Sequence, residues 1–163
     1  MSSSWDELAR TAARREEASA ELDSLRQLLT FKVAGTPYAV PVEAVREIVR
    51  MRPITPVPRT SSHVRGVISL RGEIIQVVDL RLRLGLPAAE ITRSSRIVVI
   101  HADDERVAGI LVDAVDEVLR VTEDAIVPPA AGDAGTVESL CVRGDEFVSL
   151  IDLERALDVD AEP

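Results

Sequence analysis

From Phe31 onward the chain consists of short apolar runs, each closed by a turn-forming pair or by prolines. Runs this short, rich in Val, Ile and Leu, leave no room for the helices of βαβ units and specify a mainly β fold. Strands are expected near 29–34, 37–41, 45–50, 64–70 and 73–79, then near 96–101, 106–112, 115–121, 137–143 and 146–151. Gly35-Thr36, Arg71-Gly72 and Gly144-Asp145 fall between runs as hairpin turns, and Asp103-Asp104-Glu105 makes another. Pro53, Pro56 and Pro58 hold the intervening segment extended and out of any central strand, because each removes a backbone donor and restricts its predecessor.

The expected strands fall into two sets of five, parted by a short helical stretch at 80–84 and a polar link at 87–95. Neither set is large enough to be stable alone. Two five-stranded barrels or curled sheets packed along a shared apolar seam satisfy both. The chain has 163 residues, 46% of them hydrophobic, but only four aromatics (Trp5, Phe31, Tyr38 and Phe147), so the core is aliphatic. Residues 4–29 differ in kind: they lack Gly and Pro, are rich in Ala, Glu, Arg and Leu, and read as a helix. Ser4 and Glu7 have capping-box spacing, and Leu8, Ala12, Ala18, Leu22, Leu25 and Leu29 form a thin apolar stripe. Such a stripe suits either a frayed extension or a helix that docks on a partner. The expected organisation is a helical extension at 1–29, a β domain at 30–157 with halves at about 30–85 and 96–151, and an acidic tail at 158–163. A short helix is expected at 152–157.

Charge excludes several functions. The net charge is -9, which opposes attraction to nucleic acid or to an anionic membrane. It is unevenly spread: residues 43–83 carry eight arginines against four acids, and residues 101–163 seventeen acids against four arginines. Two electrically different regions suit oriented docking to protein partners. A basic start followed by an apolar run is lacking, and no apolar stretch approaches the roughly 18 residues of a membrane span, so a cytoplasmic protein without membrane insertion is expected.

No catalytic constellation emerges. Cys141 is the only cysteine, and with His63 and His101 it makes a poor metal inventory. His101 reads as a strand-end surface residue, and His63 beside Thr60, Ser61 and Ser62 is no triad, since triads assemble from separated segments. Asp113, Asp116, Glu117, Glu123 and Asp124 lack the spacing of a calcium loop and read as a solvated acidic face. The dispersed glycines, Gly66, Gly72 and Gly109 among them, mark turns or close approaches rather than a phosphate loop. Neither enzyme activity, a metal nor a cofactor is expected.

The run GVISLRGEIIQVVDLR at 66–81 is the most specific feature of the chain. It resembles the signature of the chemotaxis coupling proteins of the CheW family, close to G-V-I-N-L-R-G-x-I-x-P-V-I-D-L-R. FKVAGTPYAVPVEAVREIV (31–49), RVAGILVDAVDEVLRV (106–121) and FVSLIDLERAL (147–157) resemble further blocks of that family in order and spacing. The resemblance implies two five-stranded SH3-like β-barrel subdomains around a common core. It also implies a non-catalytic adaptor that joins the regulatory domain of a CheA-type histidine kinase to the cytoplasmic tip of chemoreceptors in a signalling array. A scaffold in a non-flagellar chemosensory pathway, controlling surface motility, development or gene expression, is the alternative; a small β-barrel ligand binder is a remoter one. By resemblance Arg71 takes the signature arginine's place with Gly72 beside it, Val45 and Glu47 lie near the receptor groove, and Val42, Arg65 and Gly66 near the kinase-facing end. Ser69 stands where the signature has Asn, Gln76 where it has Pro, and Ser139 where Gly is usual.

Overall fold

The computed structural model describes residues 3–88, 90–102, 105–129 and 135–157. After helix α1 (Ser3–Ser24) come strands β1 (Arg26–Val33), β2 (Thr36–Pro41), β3 (Val45–Arg50), β4 (Val64–Leu70) and β5 (Glu73–Asp79), closed by the single turn α2 (Leu80–Arg83). The second half supplies β6 (Arg96–His101), β7 (Val107–Val112), β8 (Ala114–Val121), the two-residue β9 (Ile126–Val127), β10 (Val137–Arg143), β11 (Glu146–Ile151) and the turn α3 (Leu153–Ala156). All ten expected strands are present, most within a residue of the expected ends. The turn expected at 103–105 falls largely outside the described residues, and the tail at 158–163 wholly so.

The strands form two mixed sheets. One has the order β3-β6-β7-β5-β4, the other β8-β1-β2-β11-β10-β9. The pairs β5–β7 and β2–β11 are parallel, and the remaining pairs are antiparallel. The two halves of the chain are one unit repeated. Val-Glu-Ala-Val-Arg-Glu-Ile-Val-Arg at 42–50 matches Val-Asp-Ala-Val-Asp-Glu-Val-Leu-Arg at 112–120, and both halves end on a strand, an aspartate cap and one helical turn.

The repeats exchange their first hairpins. β1–β2 pairs with β8 and β11 of the second half, and β6–β7 pairs with β3 and β5 of the first. The halves expected at 30–85 and 96–151 are therefore sequence repeats and not separate sheets. The reason is local: a 3-10 turn at Val42–Ala44 carries the chain from one sheet to the other between β2 and β3, and Asp113 does the same between β7 and β8. The sheets hold five and six strands instead of five each, the extra one being β9, too short to give an alternation pattern. Its counterpart is the isolated bridge Thr55↔Val67, through which the proline-bearing segment closes on β4.

This exchange builds three apolar clusters. Leu29, Phe31, Val33 and Val40 from one sheet meet Val78, Val98, Ile100, Ile110 and Val112 from the other in the shared core. Ile68, Leu70, Ile75, Val77, Ile97, Val99 and Leu111 fill the first sheet's own interior, and Leu28, Ala39, Leu119, Cys141, Val148 and Leu150 that of the second. Strand β6 serves two cores by simple alternation: Ile97 and Val99 face one, Val98 and Ile100 the other.

The N-terminal helix stops at Ser24, five residues before its expected end at 29. Leu28 and Leu29 are claimed by β1 because both are core residues, and a buried sheet position outweighs helix propensity. Residues 4–20 of α1 are exposed, including Trp5 and Leu8. Removing residues 1–24 is accordingly expected to leave a cooperative thermal transition close to that of the full chain. Leu28→Ala, by contrast, is expected to cost about 2–4 kcal/mol in denaturant unfolding. A truncated chain that fails to unfold cooperatively would show that α1 belongs to the core.

Candidate interaction surfaces

Arg71 and Gly72 both have positive φ, +51° and +83°, so the β4–β5 turn is of the I′ kind that matches strand twist. Glycine adopts such a conformation freely; Arg71 adopts it with its guanidinium 3.1 Å from Glu47 on β3. Arg46 on β3 meets Glu73 of the same hairpin at 2.7 Å. β3 and β4 are opposite edges of their sheet, and these two ion pairs tie the hairpin to the far edge, curling the sheet into a barrel. Glu47 is mostly buried, and its Oε1 has no hydrogen-bond partner among the described residues. The second sheet repeats the device: Glu117 on β8 pairs with Arg143, which begins the β10–β11 turn, at 2.7 Å.

Val42 and Val45 are half-buried and pack against the shared core. Beside them on β3, Ile48 is 42% exposed, although its cross-strand partner Val98 is fully buried in that core. Directly opposed residues share a sheet face, so Ile48 carries the shared core out to the surface at the seam between the sheets. Val118, its repeat mate, does the same opposite Leu29.

Arg65 and Gly66 lie elsewhere. The β4 register shifts between Val64 and Gly66, and Gly66 has φ +143° with room for no side chain: an added Cβ would lie 2.1 Å from the Thr55 carbonyl oxygen. Arg65 reaches 3.1 Å to Asp79, a fully buried carboxylate that also accepts from the Arg81 N–H and so caps α2. Next to Gly66, a groove of about 550 Å³ is lined by Arg52, Pro53, Thr55, Val67 and the 70% exposed Ile74. The sequence-predicted residues thus occupy three places. Glu47, Arg71 and Gly72 meet at a barrel end, Val42 and Val45 line the seam, and Arg65 with Gly66 flank the groove.

The crossovers between sheets are held by charge. Asp113 accepts hydrogen bonds from Arg81 Nε at 3.0 Å and Nη2 at 2.5 Å, and from the Ala34 N–H at 2.8 Å. Its own N–H donates to the Lys32 carbonyl. One aspartate therefore joins α2, the β1–β2 turn and the β7–β8 junction. Burial pushes its carboxyl up, but the hydrogen bonds from Arg81 and Ala34 and the guanidinium charge outweigh that, and it sits below the ordinary carboxylate range.

Comparison with known proteins decides the family. The CheW-like domain profile matches residues 27–161. The chain belongs to the CheW-like domain family. It is 41% identical to the chemotaxis protein CheW of Rhizobium meliloti, over 73% of this chain and 76% of that one. Identity to the Bacillus subtilis chemotaxis protein CheW is 33%, over 88% and 94%. The crystal structure of the scaffolding protein TtCheW from Thermoanaerobacter tengcongensis superposes with a TM-score of 0.78 at 31% identity, covering 85% of this chain and 96% of that one. The protein is thus a chemotaxis coupling protein of the CheW family, a scaffold and not a catalyst.

Three of the acids read as a solvated face at 113–124 are engaged in this CheW-like domain: Asp113, Glu117 and Glu123 pair with Arg81, Arg143 and Arg26. Among the described residues no three potential ligands gather for a metal. His101 is exposed, as expected of a strand end. His63 is buried; its carbonyl accepts from the Asp79 N–H, and its ring nitrogens have no hydrogen-bond partner among the described residues. Cys141 is fully buried and its thiol is pushed up by burial. No described helix is long and apolar enough to cross a membrane. Reasoning from sequence missed Ile48, Ile74, Val118 and Phe147, all exposed and apolar. Their signal was an apolar residue out of phase with the positions that fill its own sheet's interior, next to Val49, Ile75, Leu119 and Val148 respectively.

The lowered Asp113 carboxyl gives a signed prediction. Its contribution is full above the unfolded value of about 3.9 and is lost as pH falls through the lower folded value. Asp113→Asn is expected to lose about 1–3 kcal/mol near neutral pH. In denaturant titrations its deficit relative to the native chain should close below about pH 4; a deficit constant into stronger acid would exclude the carboxylate as the stabilising species.

Proposed function

We propose that this protein couples the cytoplasmic tip of chemoreceptors to the regulatory domain of a CheA-type histidine kinase, working in a cytoplasmic array. The observation carrying the proposal is that one rigid domain presents two separate apolar surfaces, each edged by fixed charge. The seam around Val42, Val45 and Ile48, bordered by the Glu47–Arg71 pair, suits the apolar face of a receptor helical hairpin. The groove beside Gly66, with Arg65 nearby and Ile74 on its rim, suits the kinase's regulatory domain, which by family resemblance is built like the adaptor itself. The turn of Arg71 and Gly72 stands between the two. In both surfaces a desolvated aliphatic supplies contact area, while the adjoining ion pair sets register and partner choice.

The test is titration calorimetry with each partner separately. Ile74→Asp is expected to weaken binding of the kinase regulatory domain by tenfold or more, because about 1.4 kcal/mol is lost per decade and a charge is placed on an apolar contact. The same substitution should leave receptor-fragment binding within about twofold. Ile48→Asp is expected to give the converse pattern. Arg71→Glu, which sets like charges against Glu47, should weaken receptor binding without changing the circular dichroism spectrum. Loss of both affinities together in Ile74→Asp and Ile48→Asp would contradict two separate surfaces.

A further inference from the structure

Several of this protein's surface arginines have a carboxylate beside them, as Arg46, Arg71, Arg143 and Arg155 do. A cluster of three at the end of the β3–β6 pair does not. Arg50 and Arg96 are directly opposed at the end of the antiparallel β3–β6 pair, a placement in which like charges destabilise a sheet. Arg93 joins them across the turn that leads into β6. Among the described residues no acidic side chain pairs with any of the three. Together with Met51, Thr92 and Ser95 they line a depression of about 430 Å³.

The depression is shaped by a hydrogen-bonded turn. Ser95 is buried and its Oγ accepts from the Thr92 N–H at 2.9 Å, while Thr92 Oγ1 accepts from the Ser94 N–H at 3.2 Å. Arg96 Nη1 donates to the carbonyls of Arg93 and Ser95, both at 2.8 Å, which fixes that guanidinium against the turn. The guanidiniums of Arg50 and Arg93 have no hydrogen-bond partner among the described residues. Three planar, permanently charged donors around one hollow match a tetrahedral oxyanion of charge two or more, which accepts from several forks at once; chloride, small and singly charged, satisfies fewer. In a chain of net charge -9, an unneutralised triplet marks a local reversal of field.

We propose that the Arg50–Arg93–Arg96 depression is a binding site for a phosphate-class oxyanion, either free or as the phosphoryl group of a nucleotide. The site lies apart from the groove beside Gly66 and does not depend on the partner assignments above. Its occupation would relieve the Arg50–Arg96 repulsion and lock the turn at 92–95 onto the end of β3.

The test titrates sodium pyrophosphate into the full chain at constant ionic strength, with sodium chloride making up the balance, and repeats it with ATP. Saturable 1:1 binding is expected, weakened about tenfold by Arg50→Gln and by Arg93→Gln, since each removes a charge-assisted donor. In anion-free, low-salt buffer Arg50→Gln is also expected to melt higher than the native chain, and the gain should shrink as sodium chloride is raised, as relief of charge repulsion requires. ATP binding tighter than pyrophosphate would assign the phosphoryl group to a nucleotide, and equal binding would assign it to the free oxyanion. Absence of saturable binding at about 10 mM pyrophosphate, far above useful affinity, would overturn the proposal, as would full binding by the doubly substituted chain.

Discussion

The structure depends on the exchange of hairpins between the two halves of the chain. Because β1–β2 completes the sheet that holds β10 and β11, and β6–β7 completes the sheet of β4 and β5, neither half owns a finished sheet. Each exchange creates a parallel strand pair that only a long excursion of chain can supply. The shared cluster around Phe31, Val98 and Ile110 draws its residues from both halves, and folding should be all-or-none across them. A coupling protein gains from this arrangement. The two proposed surfaces belong to one folded unit, so a partner on either would meet a preformed shape instead of two separately folding lobes.

Charge completes what the exchange begins. The repeat places a glutamate on β3 and on β8 where each can reach an arginine of the following hairpin, and an aspartate before each closing helical turn. Asp113 stands at a point where the repeat is used asymmetrically. Its mate Glu43 is exposed, whereas Asp113 is enclosed by Arg81 and Ala34 and pins a crossover. Exposed pairs of this kind contribute little stability individually. Their effect is positional: they hold Arg71 and Arg143 at the rims of the barrels beside the apolar residues on offer.

Strand positions were legible in the sequence because alternation and turn chemistry are local signals, and β4, β5 and β10 fall where the runs and their glycines place them. The turn at Arg71-Gly72 was legible for the same reason. Hairpin exchange was not, since nothing in a strand's own residues says which half of the chain will pair with it. The helix was carried too far because Leu22, Leu25 and Leu29 keep helical spacing, while the requirement that fixes Leu28 and Leu29 in β1 comes from the distant strand β8. Of the candidate site residues, Glu47 and Arg71 are neighbours, a contact that their separation of 24 positions in the sequence did not announce. Ile74 stayed hidden in the run Ile-Ile-Gln-Val-Val, where an exposed isoleucine looks like its buried neighbours Ile75 and Val77 until the barrel's inside is known.

The central claim is coupling, and coupling is measured directly by reconstitution. Receptor cytoplasmic fragments on vesicles, a CheA-type kinase and this protein would be combined, and kinase sedimenting with the vesicles followed as this protein is added. The account predicts that the kinase moves to the vesicle fraction, and its activity comes under receptor control, only as this protein saturates both surfaces. Kinase recruitment and control that are the same with and without the protein would contradict it.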